Sequence, residues 1–175
     1  LAGLFAKGRT TVEQPAETRD HTERMLARFR VRTVRNGNEI TIYGGQVPEA
    51  IDIDVPGDIS SAAFWIVAAA AKRNSKLLIR NVGLNPTRTA LLNVLLRMGA
   101  RIKDTIRTSG EKEEPSGNLE VGGGTLSGTE IREDEIPNLI DEIPVLAVAG
   151  ALAGGTMTIR NAAELRVKET ERIRA

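Results

Sequence analysis

The 175-residue sequence contains no cysteine, one tryptophan, one tyrosine, three phenylalanines and a single histidine. Each shortage excludes something. Without cysteine there is no disulfide scaffold, no thiolate zinc site and no cysteine nucleophile, and the absence fits a reducing compartment. Aromatics at 3% leave too few rings for a base-stacking platform. A net charge of +1, from 24 basic and 23 acidic side chains, argues against binding nucleic acid through bulk electrostatics. His21 has no partners for a metal site and reads as a helix-start residue. No apolar run approaches the roughly 20 residues needed to span a bilayer. The opening Leu1-Ala-Gly-Leu-Phe-Ala-Lys7 lacks the basic start and cleavage site of a signal peptide.

What is present is ordinary for a globular protein. Hydrophobic residues make up 41% and charged residues 27%. The length suits one domain or two small pieces. Both ends read as cuts within helices, so the expectation is a piece of a longer protein.

The chain repeats itself. The repeated unit is an apolar helix, a small-residue or glycine break, a strand, a polar loop, and then an Arg-bearing helix. The first copy runs through residues 1–6, Gly8, residues 10–14 and a helix over 17–29. The second runs through 62–71, 75–81, Asn85-Pro-Thr-Arg88 and 90–98. The third runs through 143–153, Gly155, 156–161 and 164–174. The second and third share Ile-Arg-Asn at the strand end, at residues 79–81 and 159–161. The first and third share Glu-x-Arg, at Glu17/Arg19 and Glu164/Arg166.

Further strands follow from local pattern. Residues 31–35 and 39–43 flank Asn36-Gly37, a favoured two-residue hairpin turn. Gly99-Ala100 ends a helix, and 101–106 follows as a strand. Residues 108–117 are polar and Gly/Ser/Pro-containing, which predicts a mobile hairpin loop. Residues 118–121 and 125–131 read as short strands. The fold class is α/β (α+β), built from βαβαββ units with helices on one face of a mixed sheet. The helices over 62–71 and 144–153 are apolar almost all round, which predicts burial on every side. Val55-Pro-Gly-Asp58 punctuates the chain. A domain boundary falls near it, and Asp58 or Ser60 is positioned to cap the next helix.

Residues 164–174, Glu-Leu-Arg-Val-Lys-Glu-Thr-Glu-Arg-Ile-Arg, hold four cations and three carboxylates around three apolar side chains. Read as the first turns of a helix, they put Lys168 and Arg172 on one face and Glu169 beside Arg172. Two cations at a helix start would make an anion site, and a carboxylate among them would stay ionised and fit for moving protons. The alternative is a solvated face laced with weak ion pairs.

Five stretches carry a family resemblance: Thr18-Arg-Asp-His-Thr-Glu23, Gly57-Asp-Ile-Ser-Ser-Ala62, Asn85-Pro-Thr-Arg-Thr89, Ile136-Pro-Asn-Leu-Ile-Asp-Glu-Ile-Pro144 and Leu165-Arg-Val-Lys-Glu-Thr-Glu-Arg172. In order and spacing they resemble the 5-enolpyruvylshikimate-3-phosphate synthase family, over essentially the whole chain. The resemblance implies the inside-out α/β barrel of enolpyruvyl transferases, here incomplete. That fold has two domains of three βαβαββ units each, with the active site in the cleft between them. Residues 1–55 would end the upper domain. Residues 56–175 would hold the first unit of the lower domain and part of the next.

The reaction so implied moves the enolpyruvyl group of phosphoenolpyruvate to the 5-hydroxyl of shikimate 3-phosphate and releases phosphate. No cofactor or metal is implied. The partners are these two small anions, with no nucleic acid and no membrane. The implied setting is the cytoplasm, with the intact enzyme a monomer. By resemblance, Asp141 is the carboxylate that binds shikimate hydroxyls and accepts the proton. Glu169 is the second carboxylate, placed for proton transfer at the enolpyruvyl carbon. Lys168 contacts shikimate 3-phosphate, Arg172 grips phosphoenolpyruvate, and Thr18 and Arg19 match the loop at the substrate phosphate. Thr18 stands where many members have Ser, which keeps the hydroxyl. Glu164 stands where some have Asn and takes no role. Asp141 would also cap the helix that follows it.

Other family motifs, an N-terminal Lys-Ser, a Ser-x-Gln and a later His-Arg and Lys, are absent from this chain. Alone it is therefore expected to be inactive and, with apolar faces uncovered, to self-associate. Two alternatives share the pattern in part: the sister transferase acting on UDP-N-acetylglucosamine, and a noncatalytic anion-binding module.

Overall fold

A computed structural model describes residues 1–15, 18–108, 113–168 and 170–174. The expectations that touch Glu17, residues 109–112 and Glu169 lie outside the described residues. The chain divides into two units, Leu1–Val55 with Thr108–Glu114, and Pro56–Arg107 with Pro115–Ala175.

In the first unit, a single 3-10 turn at Ala2–Phe5 stands where a helix is expected. It leads into β1 (Arg9–Glu13), α1 (His21–Arg28), β2 (Thr33–Asn36) and β3 (Glu39–Tyr43). β3 is central and antiparallel to both neighbours. Asn36 pairs with Glu39, so the hairpin turns on Gly37-Asn38, one residue later than the Asn-Gly pattern suggests. The reason is conformational. Gly37 takes φ +57° while Asn38 stays negative, and a turn with a left-handed first residue wants glycine there. α1 opens at His21, the residue read as a helix start, later than the helix expected over 17–29. Glu113 and Glu114 are held to α1 by polar contacts. His21 Nδ1 lies 2.9 Å from Glu114 Oε1, and Arg24 donates to the Glu113 carbonyl at 2.9 Å.

The second unit opens at Gly57, which bridges Val82 in parallel and is all that remains of a first strand. Asp58 then caps α2 (Ile59–Ala71), accepting from the Ser60 and Ser61 amides at 3.0 and 3.2 Å. β4 (Lys76–Gly83), α3 (Ala90–Arg97), β5 (Arg101–Thr108) and β6 (Ser116–Gly122) complete a βαβαββ unit with sheet order β4-β6-β5. The next unit begins with β7 (Glu130–Ile131), α4 (Ile143–Leu152) and β8 (Thr158–Ile159). β7 and β8 pair in parallel, so α4 is a crossover helix, as α2 is between Gly57 and β4.

The repeat is visible in the backbone. Gly8, Asn74 and Gly155 mark the break after each helical segment, and all three have positive φ. Asn81 and Asn161, which end the two Ile-Arg-Asn stretches, do too. Asparagine tolerates the left-handed region better than most residues. At Asn81 this shifts the register of β4 and directs its carbonyl to the Gly57 amide at 2.7 Å. Glycine pairs close both units alike. The Gly44 and Gly45 amides donate to Gly8 and Leu4, and the Gly123 and Gly124 amides to Ser75 and Ala70. A Cβ on Gly44 or Gly123 would collide with a backbone carbonyl, Ala6 or Lys72 respectively.

The core of the second unit is helical. α2, α3 and α4 contribute Ile66, Leu91, Leu95 and Leu146, all fully buried, and the sheet adds Leu119 and Val121. The expectation that α2 and α4 are buried all round is corrected. Phe64 and Trp65 of α2 and Val148 and Leu152 of α4 are exposed. An apolar sequence without periodicity lets either face turn inward; packing against α4, β4 and β6 selects one. Among the described residues, no helix is long and apolar enough to cross a membrane.

Candidate active site

Asp141 reaches its position through a clamped connection. After β7, a 3-10 turn at Glu133–Asn138 is held by Arg97 of α3. The Arg97 guanidinium grips both Glu135 oxygens, at 2.6 and 3.1 Å, and donates to the Glu130 carbonyl at 3.1 Å. Glu135 also accepts from the Arg132 amide at 3.1 Å. Burial pushes the Glu135 carboxyl up, but the bonds from Arg97 and Arg132 outweigh it and hold it below the usual range. Leu139 and Ile140 then bury themselves in the core. That anchoring places Asp141 and Glu142 at the mouth of α4, whose first turn contains Pro144.

The two neighbours have opposite fates. Asp141 is partly open, with its side chain 32% exposed. Glu142 is 1% exposed. Asp141 is not the cap expected of it. Glu142 occupies the N-cap position, and its side chain makes no cap bond either. Both carboxylates are instead taken up by guanidinium groups.

Arg88 supplies one of these. The turn that aims it is local: the buried Asn85 side chain accepts from the Thr87 amide at 2.9 Å and the Thr87 hydroxyl at 2.8 Å, and the Arg88 amide closes on the Asn85 carbonyl at 2.8 Å. Arg88, 8% exposed, points inward. Its Nη2 lies 3.2 Å from Glu142 Oε1 and donates to the Ser60 hydroxyl. Ser60 in turn donates to Glu142 Oε1 at 2.6 Å. The other nitrogen, Nη1, lies 3.9 Å from Asp141 Oδ2. Arg172 supplies the second group, with Nη1 3.7 Å from Asp141 Oδ1 and 3.4 Å from the Ile140 carbonyl, to which it donates. Asp141 is therefore held between a buried cation and a more exposed one.

The segment that delivers Arg172 differs from expectation. Among the described residues of this stretch, only Ala163–Arg166 is helical, and it is a 3-10 turn. Nucleating an α-helix costs more than so few turns return, and the stretch is tied down by the buried Leu165 instead, whose carbonyl accepts from the Arg172 amide at 3.0 Å. Lys168 and Arg172 therefore do not share a helix face. Arg172 folds back to Asp141, while Lys168 pairs with Glu164 at 3.0 Å. Thr18 and Arg19 lie exposed in the first unit, outside regular structure just before α1. Glu169 lies outside the described residues.

Sequence reasoning missed Arg88, Glu142 and Ser60 as a cluster. A signal existed for Glu142, a charge between Ile140 and Ile143 at the head of an apolar helix. Nothing in residue order pairs it with Arg88, 54 positions away.

The site can be set beside known proteins. The family model for EPSP synthase (3-phosphoshikimate 1-carboxyvinyltransferase) matches residues 1–175. A 3-phosphoshikimate 1-carboxyvinyltransferase of Akkermansia muciniphila is 56% identical over 175 residues, 99% of this chain and 40% of that protein. One from Bacillus subtilis is 51% identical over 174 residues, with the same coverage. The solved EPSP synthase of Acinetobacter baumannii superposes with a TM-score of 0.89 at 44% identity, covering 99% of this chain and 39% of that one. The enolpyruvyl transferase NikO of Streptomyces tendae, 22% identical with a TM-score of 0.65 over 90% of this chain and 36% of its own, shares the fold. The chain thus spans about 40% of the length of the relatives it matches.

Proposed function

Since this chain belongs to the EPSP synthase family, we propose that it forms the part of a 3-phosphoshikimate 1-carboxyvinyltransferase that carries the proton-accepting aspartate. The reaction transfers the enolpyruvyl group of phosphoenolpyruvate to the 5-hydroxyl of shikimate 3-phosphate. The hydroxyl oxygen bonds to the enolpyruvyl carbon, the phosphate ester bond to that carbon breaks, and phosphate leaves. The observation that carries the reading is Asp141 held between Arg88 and Arg172.

In this reading Asp141 orients the acceptor and takes the hydroxyl proton, a role that needs a fixed, ionised carboxylate at an accessible edge. Arg172 and Lys168 neutralise the anionic substrates; a guanidinium fork suits a carboxylate or phosphate. Arg172 would exchange part of its hold on Asp141 for phosphoenolpyruvate, and Lys168 its hold on Glu164 for shikimate 3-phosphate. Thr18 and Arg19 bind the acceptor phosphate, and Glu169 handles the proton at the methylene carbon. The enzyme works as a cytoplasmic monomer, in keeping with soluble, doubly anionic substrates and a cysteine-free chain.

The test is phosphate release by a full-length protein carrying this chain, with both substrates supplied. Turnover is expected with shikimate 3-phosphate as acceptor. Asp141→Asn should lower kcat by about 10²–10⁴-fold, while Arg172→Ala should raise KM for phosphoenolpyruvate. Turnover with UDP-N-acetylglucosamine instead would assign the sister reaction and overturn the proposal.

A further inference from the structure

We propose that Arg88 is a positioning residue for Asp141, acting from beneath it through the buried cluster of Ser60 and Glu142. The inference rests on the reading of Asp141 given above. Three observations support it.

First, one guanidinium serves two carboxylates of consecutive residues. Nη2 is committed to Glu142 and Ser60, and Nη1 reaches Asp141. Because the guanidinium is planar, fixing one nitrogen fixes the direction of the other. The Ser60–Glu142 bond at 2.6 Å closes the cluster, so Arg88 has little freedom to follow a moving substrate.

Second, the cluster is poorly designed for stability alone. Among the described residues, Glu142 Oε2 is buried with no protein hydrogen-bond partner. Native proteins leave few such atoms, and each calls for an explanation. A buried ion pair with an unmet acceptor is the kind that apolar residues of similar volume replace without loss of stability. Its presence beside the accessible carboxylate of this site points to a task other than holding the fold.

Third, the two cations on Asp141 are not equivalent. Arg172 lies beyond the 3-10 turn of Ala163–Arg166, with its side chain 19% exposed against 9% for Arg88. Arg88 comes from an Asx-type turn and is tied to Ser60 of α2 and to Glu142 at the head of α4. When Arg172 turns to a substrate anion, Arg88 keeps Asp141 in one orientation for the incoming hydroxyl. Displacements of about 1 Å in such a group cost up to roughly 10²-fold in rate.

The experiment separates positioning from structural support, in a full-length transferase carrying this chain. Arg88→Met strands Glu142 and should lower both Tm and kcat. Arg88→Met combined with Glu142→Leu removes both buried charges. The double variant should regain most of the lost Tm, yet keep kcat about 10- to 100-fold down with KM for either substrate little changed. Recovery of kcat together with Tm overturns the proposal, since Arg88 would then matter only for folding. So does a raised KM with normal kcat, which would make Arg88 a substrate grip. Arg88→Lys keeps the charge and loses the fork, and it decides the matter if the double variant does not fold. A folded Arg88→Lys enzyme with reduced kcat and unchanged KM supports positioning; wild-type kcat overturns it. Absence of turnover in the unmutated protein is a failure of the functional reading alone. Positioning is then read from the Asp141 side chain in crystals of the single and double variants. Disorder there supports the proposal, and an unchanged orientation overturns it.

Discussion

Ile66 and Trp65 are neighbours on α2, both apolar, in a helix with no polar face. Ile66 is 0% exposed and Trp65 is 69% exposed. Ile66→Ala removes about three carbon groups, worth near 0.8 kcal/mol each by transfer, and leaves a cavity among α2, α3 and α4 whose lining can collapse only in part. The expected cost is about 3 kcal/mol. Trp65→Ala deletes a far larger side chain, but about two-thirds of it already meets water, so the expected cost is about 1 kcal/mol or less. With a urea dependence near 2 kcal/mol per molar, Ile66→Ala should lower the unfolding midpoint of the 175-residue chain by about 1.5 M and Trp65→Ala by no more than about 0.5 M. Far-UV circular dichroism against urea reads both. Equal shifts, or a larger one for Trp65→Ala, would refute the assigned inward face of α2 and with it the packing that supports Ser60 and Arg88.

Gly123→Ala should destabilise the second unit by about 1–3 kcal/mol, because the new Cβ would meet the Lys72 carbonyl, which belongs to a helix end and cannot step aside; thermal melting checks this, and a change under a few tenths of a kcal/mol would count against the close approach. Asp58→Ala should cost about 0.5–1 kcal/mol near pH 7, toward the lower end because the residue is exposed to screening solvent. Burial pushes the Asp58 carboxyl up, but the Ser60 amide, the Ser61 hydroxyl and amide, and the charge of Arg88 outweigh it, so its folded pKa lies below the usual value. A depressed folded pKa means the stabilisation is present above the unfolded value, near 3.9, and is lost as pH falls through the folded one. The stability gap between wild type and Asp58→Ala should therefore be constant from neutral pH to about pH 5 and close below about pH 4; a gap that widens in acid would contradict the cap.

Residue order alone carried a good deal. The repeat, most strands and helices of the second unit and the Asp58 cap are written in local pattern, because turn residues, caps and apolar spacing act over a few positions. Other features needed the folded chain. Residues 164–174 have the composition of a helix, but the described part forms one 3-10 turn pinned by Leu165, since tertiary anchoring outweighs a weak local preference. Glu142 carries no role in the sequence reading, yet it is buried. Its partner Arg88 is 54 positions earlier and Ser60 is 82 positions earlier, and only the packing of α2 against α4 brings them together. Which side of an evenly apolar helix faces inward, and which of two adjacent carboxylates stays accessible, are decided by long-range contacts that no short stretch of sequence encodes.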